Sequence, residues 1–353
     1  MGVLWLTPGF AADEQDHNCI PPQQLLARGL LARGVDLHII ALEYPFRSDP
    51  YHWHGARVYP CDGRNRRWLK WHTWRMAAQL SRTVIREKPV DALHSFWLGR
   101  AAEIGEKVAA GSGIPHFTTL MGQDVLPGNR RFLRALTAER AGRLIAVSEY
   151  QNTELEKSTG FRAGRVIPWG IEPLPPAVTP TVSRPPVLGV GSLVPVKNWE
   201  KWLRVLALTA PHFPGLQAEL IGDGPERKKL EGLARQLGLS ETVRLAGSLP
   251  RARVLEKMRQ SGVLLHTADF ESFGYVLAEA AASGCRVVST PVGIAEQAGK
   301  TADTEQGLAD LLLEALRGER QAPPFAPLTL EETAEAYMNL YQGARGWKDS
   351  LNS

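Results

Sequence analysis

Glu271 and Glu279 stand eight residues apart in the run Ala268-Asp-Phe-Glu-Ser-Phe-Gly-Tyr-Val-Leu-Ala-Glu-Ala-Ala-Ala-Ser-Gly284. The first follows an apolar, strand-like stretch, Gly262 to Thr267, and the second lies in a helix-like stretch that is otherwise almost wholly apolar. A carboxylate in such company is costly to bury unless something hydrogen-bonds to it. A polyol held between a strand end and a helix start would do so. The free N–H groups of that helix start, at Gly274, suit an anion. Hydroxyls and phosphate together fit a nucleotide sugar, with Glu279 accepting two bonds from a ribose diol and Glu271 taking the hydroxyls of the sugar. The plainer alternative is that Glu271 caps the helix and Glu279 reaches solvent.

Lys197 is the second element. It lies in Gly189-Val-Gly-Ser-Leu-Val-Pro-Val-Lys-Asn198, after a strand and before a helix. A fixed positive charge there is placed for a diphosphate; a solvated surface lysine is the alternative. Gly189 and Gly191 give G-x-G, but Val194 replaces the third glycine of a dinucleotide fingerprint, which argues against a dehydrogenase. No Walker lysine motif occurs. A third run, Gly222-Asp-Gly-Pro-Glu-Arg227, reads as a turn with Pro225 at a first helical position; a bare turn is as good a reading of Asp223 as ligand contact. His17, His52, His54 and His94 show no metal-ligand spacing, so no metal site and no cofactor are expected.

The elements that must position these residues alternate. Strands are expected at Val3–Leu6, Val35–Leu42, Ala92–Ser95, His116–Leu120, Leu144–Val147 and Arg165–Ile167. Helices are expected at Pro21–Arg33, Trp68–Glu87, Arg100–Ala110, Arg131–Ala141 and Glu149–Thr159. Alternation of this kind predicts a parallel sheet covered on both faces. Seven prolines between Pro168 and Pro186 mark a linker. After it, strands at Val187–Val190, Gln217–Ile221, Val243–Leu245, Val263–Thr267 and Arg286–Ser289 alternate with helices at Trp199–Thr209, Glu226–Leu237, Arg251–Ser261 and Tyr275–Ser283. Leu330–Gly343 is helical and amphipathic. The fold class is thus α/β, two doubly wound domains joined by a hinge. Ligands in such sheets bind outside the carboxyl ends of the strands, so the cleft between two domains is the default site.

Composition fits this picture. The chain has 353 residues, a length that favours about two domains. Charged residues at 22% and hydrophobic ones at 44% exclude a disordered chain. Cys19, Cys61 and Cys285 form no disulfide or metal pattern, which points to a reducing, cytoplasmic setting. The N-terminus lacks a basic region and a long apolar core, so it does not read as a secretory signal. No apolar run is long enough to span a bilayer. Net charge is only +4, yet seven Lys/Arg and no acid lie between Arg64 and Arg86. Within that stretch, Arg64-Asn-Arg-Arg-Trp-Leu-Lys-Trp-His-Thr-Trp-Arg75 sets Trp68, Trp71 and Trp74 among arginines. One reading is peripheral contact with an anionic membrane surface, at the inner membrane face. The favoured one is a domain helix that buries its tryptophans and keeps its arginines in solvent. Nucleic acid is not an expected partner.

In order and spacing, Gly191-Ser-Leu-Val-Pro-Val-Lys-Asn198, Gly222-Asp-Gly-Pro-Glu-Arg227 and Glu271-Ser-Phe-Gly followed by Glu279-Ala-x-Ala-x-Gly284 resemble glycosyltransferase family 4. Arg143-Leu-Ile-Ala-Val-Ser-Glu149, Val166-Ile-Pro-Trp-Gly-Ile-Glu172 and Thr118-Thr-Leu-Met-Gly-Gln-Asp124 are similar to its first-half stretches. The resemblance implies a GT-B fold of two Rossmann-like domains facing a central cleft. Residues 1–170 would form the acceptor side, 171–186 the linker, 187–325 the donor domain, and 326–353 a helix packing back toward the first domain. It implies retaining sugar transfer without a bound metal, from a nucleotide-sugar donor to a sugar, glycan or lipid-linked acceptor. Lys197 and Glu271 would act at the reacting centre. Ser192, Lys197, Gly222, Glu271, Ser272, Phe273, Gly274 and Glu279 would line the donor site, and Gly9, Met121, Gly122 and Asp124 the acceptor side. The chain departs from the pattern at Met121, where many members have histidine, at Ser192, where arginine usually joins the lysine on phosphate, and at Pro8-Gly9-Phe10, which offers one glycine instead of two. Two other classes compete: a hydrolase using Glu271 and Glu279 as paired carboxylates, and a nucleotide-sugar binder that does not transfer.

Overall fold

Runs such as Val3-Leu-Trp-Leu6, Val187-Leu-Gly-Val190 and Val263-Leu-Leu-His266 have no polar alternation, the mark of strands buried on both faces of a parallel sheet. The computed structural model describes residues 1–17, 19–172, 187–318 and 325–351, with side chains of the last helix described to residue 343. Residues 173–186, most of the proline-rich linker, lie outside the described residues. The chain divides into two units, Met1–Gly170 with Leu328–Ser353, and Ile171–Pro327.

The first unit carries β1 (Gly2–Gly9), α1 (Pro21–Leu31), β2 (Asp36–Tyr44), β3 (Tyr51–Trp53), β4 (Ala56–Pro60), α2 (Lys70–Glu87), β5 (Ala92–Phe96), α3 (Arg100–Ser112), β6 (His116–Thr119), α4 (Arg130–Leu133), α5 (Ala138–Ala141), β7 (Leu144–Ala146), α6 (Glu149–Thr159) and β8 (Arg165–Val166). Its sheet runs β3-β4-β2-β1-β5-β6-β7-β8. All pairings are parallel except β3 with β4, a hairpin on the edge. The order reverses between β1 and β5.

The helix Leu330–Leu351 closes this unit. Tyr337 and Tyr341 are fully buried. Thr119 Oγ1 lies 2.8 Å from both His94 Nε2 and Tyr337 OH, while Tyr341 OH lies 3.0 Å from His94 Nδ1 and accepts from Trp5 Nε1 at 3.3 Å. Every polar atom of this buried ring therefore has a partner, which burial in an apolar core demands.

The second unit carries β9 (Val187–Val190), α7 (Trp199–Thr209), β10 (Ala218–Ile221), α8 (Arg227–Gln236), β11 (Val243–Gly247), α9 (Arg251–Gln260), β12 (Val263–His266), α10 (Tyr275–Ala282), β13 (Arg286–Ser289), α11 (Ala295–Ala298), β14 (Lys300–Thr301) and α12 (Glu305–Arg317). Its sheet is wholly parallel, in the order β11-β10-β9-β12-β13-β14. Trp199, Trp202, Leu203 and Leu206 of α7 pack with Leu220, Leu265 and Leu308 in its core. This is the dinucleotide-fold strand order, whose ligand crevice opens where the order reverses, here between β9 and β12.

Three local expectations are corrected. The helix expected over Arg131–Ala141 is two single turns, α4 and α5; Thr137 caps the second by accepting from the Arg140 N–H, so a cap residue splits the run. The β3–β4 hairpin lies in a stretch where no strand was expected. The tryptophans of the basic segment are not all buried: Trp68 is 72% and Trp71 75% exposed. Trp74 alone packs against the core, with the Arg100 guanidinium 3.9 Å above its ring.

Candidate active site

Two loops flank the switch point of the second sheet. The loop after β9 carries Ser192 and Lys197; the loop after β12 carries Glu271 to Gly274. They are fastened to each other. Asp269 N–H donates to Val196 O at 2.9 Å, Asn198 Nδ2 to Asp269 Oδ1 at 2.8 Å, and Thr267 Oγ1 to Asn198 O at 3.0 Å. Asn198, left-handed at φ 47°, also caps α7 by accepting from Lys201 N. The result brings Lys197 Nζ into an ion pair with Glu271 Oε1.

His266, the last residue of β12 and almost completely buried, sets Nε2 at 3.1 Å from the same Glu271 oxygen. Burial alone would push the Glu271 carboxyl up. The His266 hydrogen bond and the Lys197 charge outweigh it and hold the group down at about 2. Glu271 is therefore an ionised acceptor at any working pH.

Ser272 follows, half-buried, and Phe273 is buried with its carbonyl taken by Ile294 N–H at 2.9 Å. Gly274 has φ +84°, a conformation that only glycine holds without strain, and it turns the chain into α10. On that helix Glu279 is buried. It accepts from Arg251 Nε at 2.9 Å, and Arg251 Nη1 reaches Glu172 Oε2 at 2.6 Å. Desolvation raises the Glu279 pKa and Arg251 only partly offsets it.

Ser192 is exposed, and its carbonyl accepts from Trp199 Nε1 at 2.9 Å. Gly222, after β10, adjoins the same loop: a Cβ there would lie 1.8 Å from Gly191 O. The structure therefore joins Lys197 and Glu271 directly, sets Ser272 to Gly274 next to them, puts Gly222 against the Ser192 loop, and gives Glu279 a cation of its own. Gly9, Met121, Gly122 and Asp124 belong to the first unit. Gly9 ends β1, and Met121 and Gly122 follow β6. The Asp124 carboxylate accepts from Leu98 N at 2.9 Å, Gly122 N at 2.9 Å and Met121 N at 3.3 Å. It shapes the Met121–Gly122 loop from a fully buried position, where desolvation raises its pKa against those bonds.

Sequence reasoning missed His266, Arg251 and Glu172 as members of the site. The available signals were a histidine ending an otherwise apolar strand, and an arginine directly after Pro250 at a helix start. Their partners are distant in the chain, so nothing local identified them. Among the described residues no cluster of His, Cys, Asp and Glu has the form of a metal site.

Two Rossmann-order sheets, the second with a cation–carboxylate cluster at its switch point, define the GT-B class of α/β protein. Family models for "Glycosyl transferase 4-like domain" and "Glycosyl transferases group 1" match residues 23–170 and 177–309 respectively, and the chain belongs to the group 1 glycosyl transferases. It is 26% identical over 336 residues to a D-inositol 3-phosphate glycosyltransferase of Acidothermus cellulolyticus, covering 84% of this chain and 68% of that one. It is 32% identical over 161 residues to an exopolysaccharide phosphotransferase of Streptomyces coelicolor, a match that takes in 44% of this chain but only 16% of the relative. Sucrose-phosphate synthase from Thermosynechococcus elongatus has a similar fold, with TM-score 0.72, 16% identity, and 100% and 98% of the two chains covered. So does HepE of Anabaena in complex with UDP and glucose, with TM-score 0.67, 17% identity and 99% of each chain covered.

Proposed function

We propose that this protein is a retaining, metal-independent glycosyltransferase that moves a sugar from a nucleotide-sugar donor to a sugar, glycan or lipid-linked acceptor. One observation carries the reading: Lys197 and Glu271, from the loops after β9 and β12, meet at the switch point of the second sheet, beside the start of α10. A departing diphosphate gains negative charge while the anomeric carbon becomes cationic. Lys197 and the α10 N–H groups would stabilise the first, and donor phosphate would replace Glu271 as the partner of the lysine. Glu271, freed from that pair but still held by His266, would accept from the sugar hydroxyls. Glu279 would accept from the ribose. The reading assigns no side chain as nucleophile or base. Donor use fits the similarly folded HepE, whose solved complexes contain UDP and UDP-glucose.

Hydrolysis by the two glutamates has little support in this geometry. It needs both carboxyls to flank one bond, whereas Glu271 and Glu279 are each bound to a separate cation.

Calorimetry over a panel of nucleotide sugars tests the donor site. Lys197→Ala and Glu279→Gln are each expected to weaken donor binding by at least about tenfold with the thermal midpoint little changed. Unchanged affinity in both variants would refute the assignment. Anomeric analysis of the product tests retention, and turnover after exhaustive chelation tests metal independence. Binding without transfer to any acceptor would favour the non-catalytic reading.

A further inference from the structure

We propose that the outward face of α2 and the loop leading into it dock on an anionic lipid bilayer. The acceptor would then be lipid-borne, and that second clause alone rests on the transferase reading above. α2 buries Thr73, Ala77, Ser81 and Val84, a stripe at helical spacing. Its opposite face presents Trp71, Arg75, Arg82 and Arg86, all exposed, with Arg66, Arg67, Trp68 and Lys70 exposed where the chain enters the helix. No acidic residue interrupts the stretch from Arg64 to Arg86.

Trp74 already serves as the core aromatic of this helix, so Trp68 and Trp71 are not needed for packing. Their large, amphipathic rings are left in water, a disposition typical of a side chain that sits at a headgroup layer. Arginines on a convex helix complement an anionic lipid surface. A nucleic-acid strand would instead ask for a groove with stacking platforms, and α2 offers none.

The position of the patch ties it to the acceptor side. The N–H groups of Gly63 and Arg64 donate to Leu42 O and Glu43 O, both at 3.0 Å, and Asn65 N to Glu43 Oε2 at 2.8 Å. The loop into α2 is thereby fixed to the carboxyl end of β2. One residue further, the Tyr44 carbonyl accepts from Phe10 N at 3.1 Å, next to Gly9. Phe46, 59% exposed, stands edge-on to the Tyr44 ring, 5.2 Å between centroids. Phe46 thus borders the loop after β1, and the chain leading to Trp68 and Trp71 is fixed to the neighbouring strand end, where the ligand crevice of such a sheet opens.

The test is sedimentation of the full chain with vesicles of phosphatidylcholine alone or with about 30% phosphatidylglycerol, at low and high salt. Binding is expected to the anionic vesicles, at least about tenfold tighter than to the neutral ones, and weakened by salt. Trp68→Ala/Trp71→Ala and Arg75→Glu/Arg82→Glu are each expected to lower it by at least about tenfold, with circular dichroism and donor affinity unchanged. Equal sedimentation of the wild type and both variants would overturn the proposal. So would absence of binding to anionic vesicles, equally tight binding to soluble dextran sulfate that ignores the tryptophans, or a dimer that Trp68→Ala/Trp71→Ala converts to monomer. Because donor affinity is measured on the same proteins, failure here leaves the transferase reading standing. Loss of that reading through Lys197 and Glu279 leaves the docking surface standing.

Discussion

Glu271 shows how one side chain takes its character from two others. The oxygen that pairs with Lys197 also faces His266 Nε2, so if a donor phosphate takes the lysine, as proposed, the histidine is left to hold the carboxylate. His266 is in this sense a positioning residue. Removing a hydrogen bond to a charged group costs about 1.5–3 kcal/mol. His266→Leu is therefore expected to raise the donor KM or lower kcat by about tenfold or more. His266→Gln, which restores a donor, is expected to recover most of the loss. The acid limb of kcat/KM should also rise in His266→Leu, from near 2 toward the ordinary carboxylate range. A loss that Gln does not rescue, with no change in the limb, would mean that His266 only fills space. The two glutamates and the lysine were legible in the sequence because their neighbours are local. The residues that hold them lie tens of positions away, as with Arg251 and Glu279, and only the fold brings them together.

At the scale of elements, the loops after β9 and β10 meet through backbone rather than side chains. Gly222 has φ +146°, and a Cβ there would come within 1.8 Å of Gly191 O; Leu193 N–H donates to Asp223 O at 2.9 Å. Gly222→Ala is expected to cost roughly 2–4 kcal/mol and to displace the Lys197 loop. Chemical denaturation reads the first effect and donor titration the second; a variant as stable and as tight as the wild type would show that the two loops separate freely. Strands buried on both faces were easy to read, because their apolar runs have no competing explanation. The run from Arg131 to Ala141 was not, since helix-favouring residues flank Thr137, whose hydroxyl competes for the backbone. Trp68 and Trp71 were misread for a different reason. Composition says that a ring is large and apolar, but only the facing of the helix decides whether the core has room for it.

Across the whole molecule, stability should depend on pH through groups buried in the first unit. Burial pushes the His94 pKa well below its usual value and holds His116 at about 3. Both stay neutral when folded, whereas in the unfolded chain each takes up a proton near pH 6.5. The unfolded state then binds more protons, so this stability is fully present above about pH 6.5 and is lost as pH falls, by roughly 1.4 kcal/mol per unit for each histidine. Glu271 works in the same direction lower down, between its unfolded value near 4.3 and about 2. The thermal midpoint is therefore expected to drop steadily from pH 6.5 to 4.5, and His94→Gln should flatten that slope while lowering stability at pH 8. A midpoint indifferent to pH over this range would contradict the buried, neutral state of the two rings.

The first unit is completed by the helix Leu330–Leu351, with the entire second unit lying between its two pieces in the chain. On a ribosome, the segment Ile171–Pro327 is released with all of its own strands before Tyr337 and Tyr341 reach the cavity around His94. The half of the protein that is made first is then the half that finishes last. Until the last helix emerges, Trp5, His94 and Thr119 wait without their hydroxyl partners, and nascent chains should meet chaperones there.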